Sequence, residues 1–313
     1  MRRAGSLGSV VILISMLVAV SPARATYPGA SGRLAYTFKR DGIWQIFSMK
    51  PDGKGIRQIS HFRKPQATGS VNWSPDGTKI AFSSNRSGEG EIWTINADGS
   101  GLMRITHDPN TDDDGPVWSP DGMQILFIRE SPRTGNGAIY TIDADGTAMT
   151  KLSGAKTHHE EAQFTPDGSQ IVYQGFGAAG GICELWSMNP DGSGKTLLVP
   201  ADARLGLSDV SPDGMSLLVF DDCASPAPQS IYRLNLDGGG MAQLTDAACC
   251  YQDGWPQFSP DGSQVVFLSN RVVPGFDVPF KEMYVMDADG SNMVRITASS
   301  HRIGLPDWGP IPS

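Results

Sequence analysis

An acidic stretch in the first half of the chain places oxygen-bearing side chains at alternate positions. Asn110, Asp112 and Asp114 precede Gly115 in the order that opens a calcium-binding loop. Calcium takes oxygen ligands, and the glycine permits the sharp turn that gathers them. The bidentate Glu of such loops is missing at the twelfth position, where Asp121 belongs to a turn motif. The stretch therefore predicts either a divalent cation site, with calcium as the ion, or a solvated acidic loop.

Imidazole groups and further carboxylates fall in the variable segments between apolar runs. All the histidines lie there: His61, His107, His158, His159 and His301. Imidazole binds metals and exchanges protons near neutral pH, although polar loop residues of this kind often have no such role. We expect part of this set to form a surface that binds a partner or ligand, comprising Asp112, Asp114, His158, His159, Glu160, Asp253 and His301.

The cysteines, Cys183, Cys223, Cys249 and Cys250, all lie in the second half of the chain. In an oxidising compartment they are candidates for disulfides, and four cysteines allow three pairings. A direct bond between the adjacent Cys249 and Cys250 would be strained. We favour a bridge from Cys223 to Cys249 or Cys250, with a metal-binding vicinal pair as the alternative.

Catalytic motifs are missing from the sequence, so no catalytic residue is predicted. Gly194-Lys195-Thr196 imitates the end of a phosphate-binding loop, but the leading glycine of that motif is replaced by Asn189. The chain has no Gly-x-Ser-x-Gly nucleophile elbow, no His-Glu-x-x-His pair and no dinucleotide-binding glycine set. Hydrolase and oxidoreductase chemistry therefore has no positive support.

The N-terminus has the pattern of a signal peptide over residues 1–25. Arg2 and Arg3 precede an apolar run over residues 7–20, and Ala23-Arg24-Ala25 supplies the small residues of a cleavage site. We expect residues 26–313 to be a periplasmic or secreted protein without a stable membrane anchor, a retained signal anchor being the alternative. Its 22 basic and 33 acidic residues give a formal charge of −11, which disfavours nucleic acid as a partner.

Two turn motifs recur along the chain and define the elements that must position these groups. Ser-Pro-Asp-Gly or Thr-Pro-Asp-Gly begins at residues 74, 119, 165, 211 and 259. Asp-Gly alone begins at residues 52, 98, 145, 191, 237 and 289. Proline, aspartate and glycine in this order favour tight turns between β-strands. A period of about 46 residues with four strands in each unit predicts an all-β, six-bladed β-propeller.

Equivalent positions carry equivalent bulk, which indicates packing between blades. The first strand of each unit ends in Trp73, Trp118, Phe164, Val210, Phe258 or Trp308, and the third strand carries Trp44, Trp93, Tyr140, Trp186, Tyr232 or Tyr284. Residues 32–60 supply only three strands, and the segment ending at Pro310 matches the missing first strand. We therefore expect the C-terminal strand to complete blade 1 and close the ring.

The repeated Trp-Ser-Pro-Asp-Gly, Ile-Ala-Phe-Ser-Ser-Asn-Arg, Ile-Trp-x-Ile-x-x-Asp-Gly and Arg-Ile-Thr resemble the propeller repeat of the TolB family over residues 32–310. In that family an α/β domain precedes the propeller, whereas here few residues do. A complete propeller without catalytic motifs predicts a module that binds a protein, a peptide or another ligand in the cell envelope. The alternative is a metal-dependent carbohydrate lyase or hydrolase at the channel mouth, by analogy with the oligogalacturonate lyases, and a purely structural spacer is a third possibility.

Overall fold

Apolar runs rich in β-branched and aromatic residues, each bounded by a tight turn, form 24 β-strands in the part of the chain that the structure describes. The computed structural model describes residues 30–64, 66–154, 159–176, 183–200, 204–221, 228–246, 251–271, 281–298 and 302–312. The predicted signal peptide lies outside these residues. Within them, no helix is long and apolar enough to cross a membrane.

The strands pair as six antiparallel sheets of four, which we number as blades 1 to 6. Blade 1 contains β1 (Ser31–Arg40), β2 (Ile43–Met49) and β3 (Arg57–Gln58), and β24 (Asp307–Pro310) completes it beside β1. Blade 2 contains β4 (Thr68–Trp73), β5 (Lys79–Ser84), β6 (Glu91–Asn96) and β7 (Met103–Arg104), and blade 3 contains β8 (Asp112–Trp118), β9 (Gln124–Glu130), β10 (Gly137–Asp143) and β11 (Thr150–Lys151). Blade 4 contains β12 (His159–Phe164), β13 (Ile171–Phe176), β14 (Cys183–Met188) and β15 (Thr196–Val199); blade 5 contains β16 (Leu205–Val210), β17 (Ser216–Asp221), β18 (Ile231–Asn235) and β19 (Ala242–Gln243); and blade 6 contains β20 (Asp253–Phe258), β21 (Gln264–Ser269), β22 (Glu282–Asp287) and β23 (Val294–Arg295).

The C-terminal strand closes the ring, as the sequence predicts. β24 pairs with β1 in antiparallel register, with Leu34 opposite Trp308. The backbone N–H of Gly304 also donates to the carbonyl of Thr37 at 2.7 Å. Innermost strands of neighbouring blades contact one another around the whole ring, including β20 with β24. With β24 in place blade 1 has four strands like the other five, so the six blades form one closed β-propeller.

The Ser-Pro-Asp-Gly turns owe their shape to the side chains that spell them. In the turn between β4 and β5, Ser74 Oγ donates to Asp76 Oδ1 at 2.6 Å, and the same oxygen accepts the N–H of Thr78 at 3.0 Å. Gly77 takes a φ of 66°, which an L side chain adopts only with strain. The other four turns repeat the serine or threonine contact to aspartate at 2.6 to 2.7 Å. One turn chemistry is thus used five times on the same face of the ring.

The bulky residues that end the innermost strands lie in the core between blades, and each is at most 7% exposed. The third-strand prediction for blade 1 is wrong. Register places Phe47 opposite Tyr36, as Trp93 lies opposite Phe82, while Trp44 pairs with Lys39 nearer the loop. The cause is a longer strand pair in blade 1, which shifts the Ile-x-x-Ile pattern by three residues. Phe47 stands five residues before the Asp-Gly turn, as Trp93 does.

Candidate functional site

Two faces of the ring differ in what they carry. One face holds the short hairpin turns, and the other holds the links between blades and the connections from second to third strands. On this second face, which we call the loop face, the innermost strands of blades 2, 3 and 4 surround a cavity of about 490 Å³. Rigid strands therefore position variable connections around an open concave surface, the usual arrangement for a binding site.

Asp112 and Asp114 line this cavity together with Glu130 and Glu161. Both aspartates lie in β8, where successive side chains alternate between faces, so they share a side while Asp113 points the other way. Asp112 Oδ1 accepts the N–H of Gly90 at 2.7 Å, and Asp114 Oδ1 accepts the N–H of Gly115 at the same distance. The structure thus brings two of the predicted residues together and adds Glu130 and Glu161 to them.

Glycines keep the wall of the cavity open between blades 2 and 3. A Cβ on Gly69 would collide with Ser83 Oγ and would lie 3.4 Å from Asp114 Oδ1. A Cβ on Gly90 would lie 3.1 Å from Asp112 Oδ1. Any larger side chain at either position would therefore press on a carboxylate and occupy the cavity.

The predicted calcium ligands do not form a loop of their own in the structure. Asn110 is exposed, and its backbone N–H donates to Asp108 Oδ1 at 3.0 Å, whereas Asp112 and Asp114 belong to a strand. Across the residues described, no group of three or more His, Cys, Asp or Glu side chains is arranged to hold a metal ion. The calcium site stays a prediction from sequence.

Asp113, between the two cavity residues, is part of a buried ion pair. Asp113 is 1% exposed, and Arg129 donates a hydrogen bond to each of its carboxylate oxygens, from Nε and from an η nitrogen, both at 2.7 Å. Burial acts to lower the pKa of Arg129, but the hydrogen bonds and charge of Asp113 outweigh it and raise that pKa. The fork fixes β8 against β9 and so holds the cavity wall in place.

Asp253, predicted to face a partner, occupies the equivalent position in blade 6 and is fully buried. Ser269 Oγ donates to its Oδ1 at 2.6 Å, Arg271 Nε donates to the same oxygen at 3.0 Å, and a second Arg271 nitrogen binds Oδ2. The hydrogen bond with Asp253 raises the pKa of Arg271. The physical reason is the alternation of the strand, which turns this carboxylate inward. Asp253 therefore positions Arg271 and does not line the cavity.

The channel below the cavity is crossed by polar side chains that the sequence analysis missed. They stand one residue before the strand-ending bulky residue of their blades: Asn72, Gln163, Asp209, Gln257 and Asp307. Several tie one blade to the next, because Asn72 Oδ1 accepts the N–H of Trp118 at 2.9 Å and Asp209 Oδ2 accepts that of Phe258 at 2.7 Å. The sequence did contain a signal for these residues, because a polar residue recurs immediately before the bulky residue that ends the first strand of the repeat.

Two of these channel residues are buried acids that burial keeps protonated to unusually high pH. Burial raises the pKa of Asp209 to about 8, with the nearby Asp307 adding to the effect, and it raises the pKa of Asp307 to about 7. Asp307 Oδ2 accepts the N–H of Trp73 at 2.6 Å, and its Oδ1 accepts the amide of Asn72 at 3.2 Å. Asp209 keeps some surface toward the channel, so Asp307 is the more completely enclosed.

The remaining predicted residues are only partly visible. His158, His301, Cys223, Cys249 and Cys250 lie outside the described residues, and so do the side chains of His159 and Glu160. The backbone of His159 begins β12 opposite Gly175, so this residue belongs to a strand rather than to a link. Cys183 begins β14 and is disulfide-bonded. The pairing that we favour, from Cys223 to Cys249 or Cys250, stays a prediction.

The closed ring of six four-stranded blades around a polar channel defines the protein as a six-bladed β-propeller. Compared with family models, the chain matches the TolB beta propeller domain over residues 13–133 and 113–312. The chain therefore belongs to the TolB beta-propeller family. A comparison with curated proteins finds no match.

Solved structures with the same fold come from several proteins. TolB from Acinetobacter baumannii is 20% identical, with a TM-score of 0.72 over 91% of this chain and 67% of that one. A putative TolB from Agrobacterium tumefaciens is 23% identical, with a TM-score of 0.63 over 86% of this chain and 89% of that one. An oligogalacturonate lyase in complex with manganese is 14% identical, with a TM-score of 0.57 over 87% of this chain and 74% of that one. At these identities the likeness establishes the fold alone.

Proposed function

We propose that this chain is an exported binding module of the cell envelope, which receives a segment of a protein or peptide partner at the mouth of its channel. The observation that carries the proposal is the cavity of about 490 Å³ on the loop face. It is built on strands of three blades in a closed ring, so it is preorganised before a partner arrives. A preorganised concave site loses little conformational entropy on binding.

The charge of the cavity favours a partner segment that carries a basic side chain or a free amine. Asp112, Asp114, Glu130 and Glu161 all line it, and the Asp113 carboxylate behind the wall is matched by Arg129. A positive group entering from solvent would meet complementary potential, which speeds encounter and selects among partners. The proposal therefore includes a salt-sensitive association.

Export is the second part of the proposal. The pattern of Arg2 and Arg3, the apolar run over residues 7–20 and the Ala23-Arg24-Ala25 site support it. A disulfide at Cys183 is in keeping with an oxidising compartment.

Affinity capture from a cell that exports the protein tests the proposal. A variant with Asp112→Asn, Asp114→Asn and Glu161→Gln keeps the shape of the cavity and removes three charges. We expect it to lose the captured partner, and we expect added salt to release the partner from the wild-type protein. A matched control neutralises three turn aspartates on the opposite face, Asp98→Asn, Asp145→Asn and Asp289→Asn. Equal capture by both variants would refute the cavity as the contact.

A further inference from the structure

Blade 2 contains an arginine that is partly buried without an acidic partner. Arg86 follows β5, and its guanidinium carbon lies 3.6 Å from the centre of the Phe62 ring, 5.0 Å from Trp93 and 5.6 Å from Phe82. Its Nε is buried and has no hydrogen-bond partner. Among the described residues no carboxylate lies within ion-pair distance of it. A buried cation normally has a partner, so this arrangement needs an explanation.

Arginines at the loop-face end of the second strand in blades 3 and 6 each have an acidic partner, which Arg86 lacks. In blade 6, Asp253 pairs in register with Ser269, and Arg271, two residues further on, binds its carboxylate. In blade 3, Asp113 holds the equivalent position in the innermost strand and binds Arg129, which lies directly opposite it in register. Each arginine is thus matched by an acid at the start of the innermost strand of the same blade, within its first two residues.

Blade 2 keeps the arginine but replaces the acid by Thr68. Thr68 pairs with Ser84 as Asp253 pairs with Ser269, and Arg86 stands two residues after Ser84. Thr68 is 6% exposed, and its Oγ1 is buried without a hydrogen-bond partner. The hydroxyl therefore occupies the place of the missing carboxylate without replacing its acceptor oxygens.

One of the rings beside the guanidinium also carries a buried donor. Trp93 in β6 has a buried Nε1 without a partner, and its ring is one of the three that surround the Arg86 guanidinium. The equivalent residue of blade 6, Tyr284, uses its hydroxyl to donate to the carbonyl of Arg271 at 3.2 Å. Blade 2 thus gathers three unsatisfied groups, from Thr68, Arg86 and Trp93, all of which can donate hydrogen bonds.

Hydrogen bonds hold this arrangement in place, and the link that precedes β4 carries basic side chains. Gln66 Nε2 donates to the carbonyl of Arg86 at 3.2 Å, and the N–H of Ala67 donates to Asn85 Oδ1 at 2.9 Å. The link over residues 59–67 carries His61, Arg63 and Lys64 and no acid. The one acid of the loop over residues 85–90 is the exposed Glu89. Burial lowers the pKa of Arg86 to about 10, which leaves it charged at neutral pH.

We propose that blade 2 has a carboxylate-binding site, in which a ligand carboxylate binds Arg86, Thr68 and Trp93 and so replaces the acid present in blades 3 and 6. A planar guanidinium fork matches the two oxygens of a carboxylate. The site is separate from the acid-lined cavity, because β4 alternates and turns Gly69 toward that cavity but Thr68 away from it. The two sites therefore present opposite charge preferences on one face.

Thermal unfolding in sodium formate tests the site, with sodium chloride at the same ionic strength as the reference. Formate is the carboxylate alone, so it probes the chemistry without assuming the rest of the ligand. We expect formate to raise the Tm of the wild-type protein more than chloride does. We expect Arg86→Gln to weaken the apparent formate affinity by about tenfold or more. Arg63→Gln removes an exposed charge from the same link and should leave the formate response intact.

A pair of reciprocal substitutions distinguishes a ligand site from simple packing. Thr68→Asp supplies the missing acid, so it should raise Tm and abolish the formate response. Asp253→Thr recreates the blade 2 arrangement in blade 6, so it should lower Tm, and formate should restore part of the loss. Equal stabilisation of the wild-type protein by chloride and formate would overturn the proposal, as would a formate response that survives Arg86→Gln. If Thr68→Asp does not fold, Arg86→Gln and its Arg63 control decide the question.

Discussion

The two buried acids of the channel predict that the protein loses stability as pH rises through neutrality. Asp307 is buried inside the ring, and burial raises its pKa to about 7 from an ordinary value near 3.8. A carboxyl whose pKa is raised on folding binds its proton more tightly in the folded state. Its contribution therefore favours the fold below about pH 4 and is lost as pH rises through the folded-state pKa.

The size of the effect follows from the shift. About three pKa units correspond to ~4 kcal/mol of unfolding free energy lost for Asp307 between about pH 4 and the alkaline side of its pKa. Asp209, whose pKa burial raises to about 8, acts in the same direction. The two charges repel each other, so the combined loss is spread over a wider pH range and is not a simple sum.

Urea unfolding at about pH 5 and about pH 8.5 measures the prediction. We expect the urea midpoint of the wild-type protein to fall as pH rises. We expect the midpoint of the Asp307→Asn variant to fall less, because its amide does not ionise. The substitution also has a cost that does not vary with pH, since its amide nitrogen would face that of Asn72. Asp289→Asn serves as control, because the Ser291 hydrogen bonds lower the pKa of Asp289 from its ordinary value, away from the pH range of the experiment. A wild-type midpoint that is constant or rises with pH would refute the reasoning.

Three further predictions concern closure, the buried ion pairs and metal. Deleting residues 304–313 removes β24 and should greatly lower Tm, whereas deleting residues 312–313 should not; an unchanged Tm in the longer deletion would contradict closure by the C-terminus. Asp253→Ala should cost about 3 to 5 kcal/mol of unfolding free energy in urea titrations, because it leaves Arg271 buried and unpaired, while the exposed Asp114→Ala should cost little. Protein purified without chelator should contain less than one equivalent of metal by elemental analysis, since Asp112 and Asp114 belong to a strand and no three potential ligands are arranged to hold a metal in the part of the chain that the structure describes; a stoichiometric metal would favour the calcium site or the lyase alternative.

The repeat made the fold predictable from sequence. Turn chemistry recurs at a fixed period, and the unmatched strand at the C-terminus fits the gap in the first unit, so blade number and closure followed. The error at Trp44 shows the limit of motif matching. Ile43 and Trp44 imitate the third-strand motif, but the register is set by the distance to the Asp-Gly turn, which selects Phe47.

The site was less predictable because it depends on which way each strand residue points. Asp112 and Asp253 look alike in sequence as acids before an inner strand, yet one lines the cavity and the other is buried. Alternation within the strand decides between them, and a sequence does not show which set of alternate residues faces the cavity, because a bulge follows in both β8 and β20 and shifts the register with the turn motif. Ion pairs such as Asp113 with Arg129 join residues 16 apart and leave no motif. The missing acid beside Arg86 becomes visible only when blades are compared in register.

Site-specific photocrosslinking inside an exporting cell tests the binding proposal most directly. A photoreactive side chain is placed at Asp114 or Glu161 on the cavity, and in parallel at the highly exposed Met123 or Met215 on the hairpin face. The binding proposal predicts that the same discrete protein adduct forms from both cavity positions and from neither hairpin position. Adducts that form equally from both faces, or from the hairpin face alone, would contradict it.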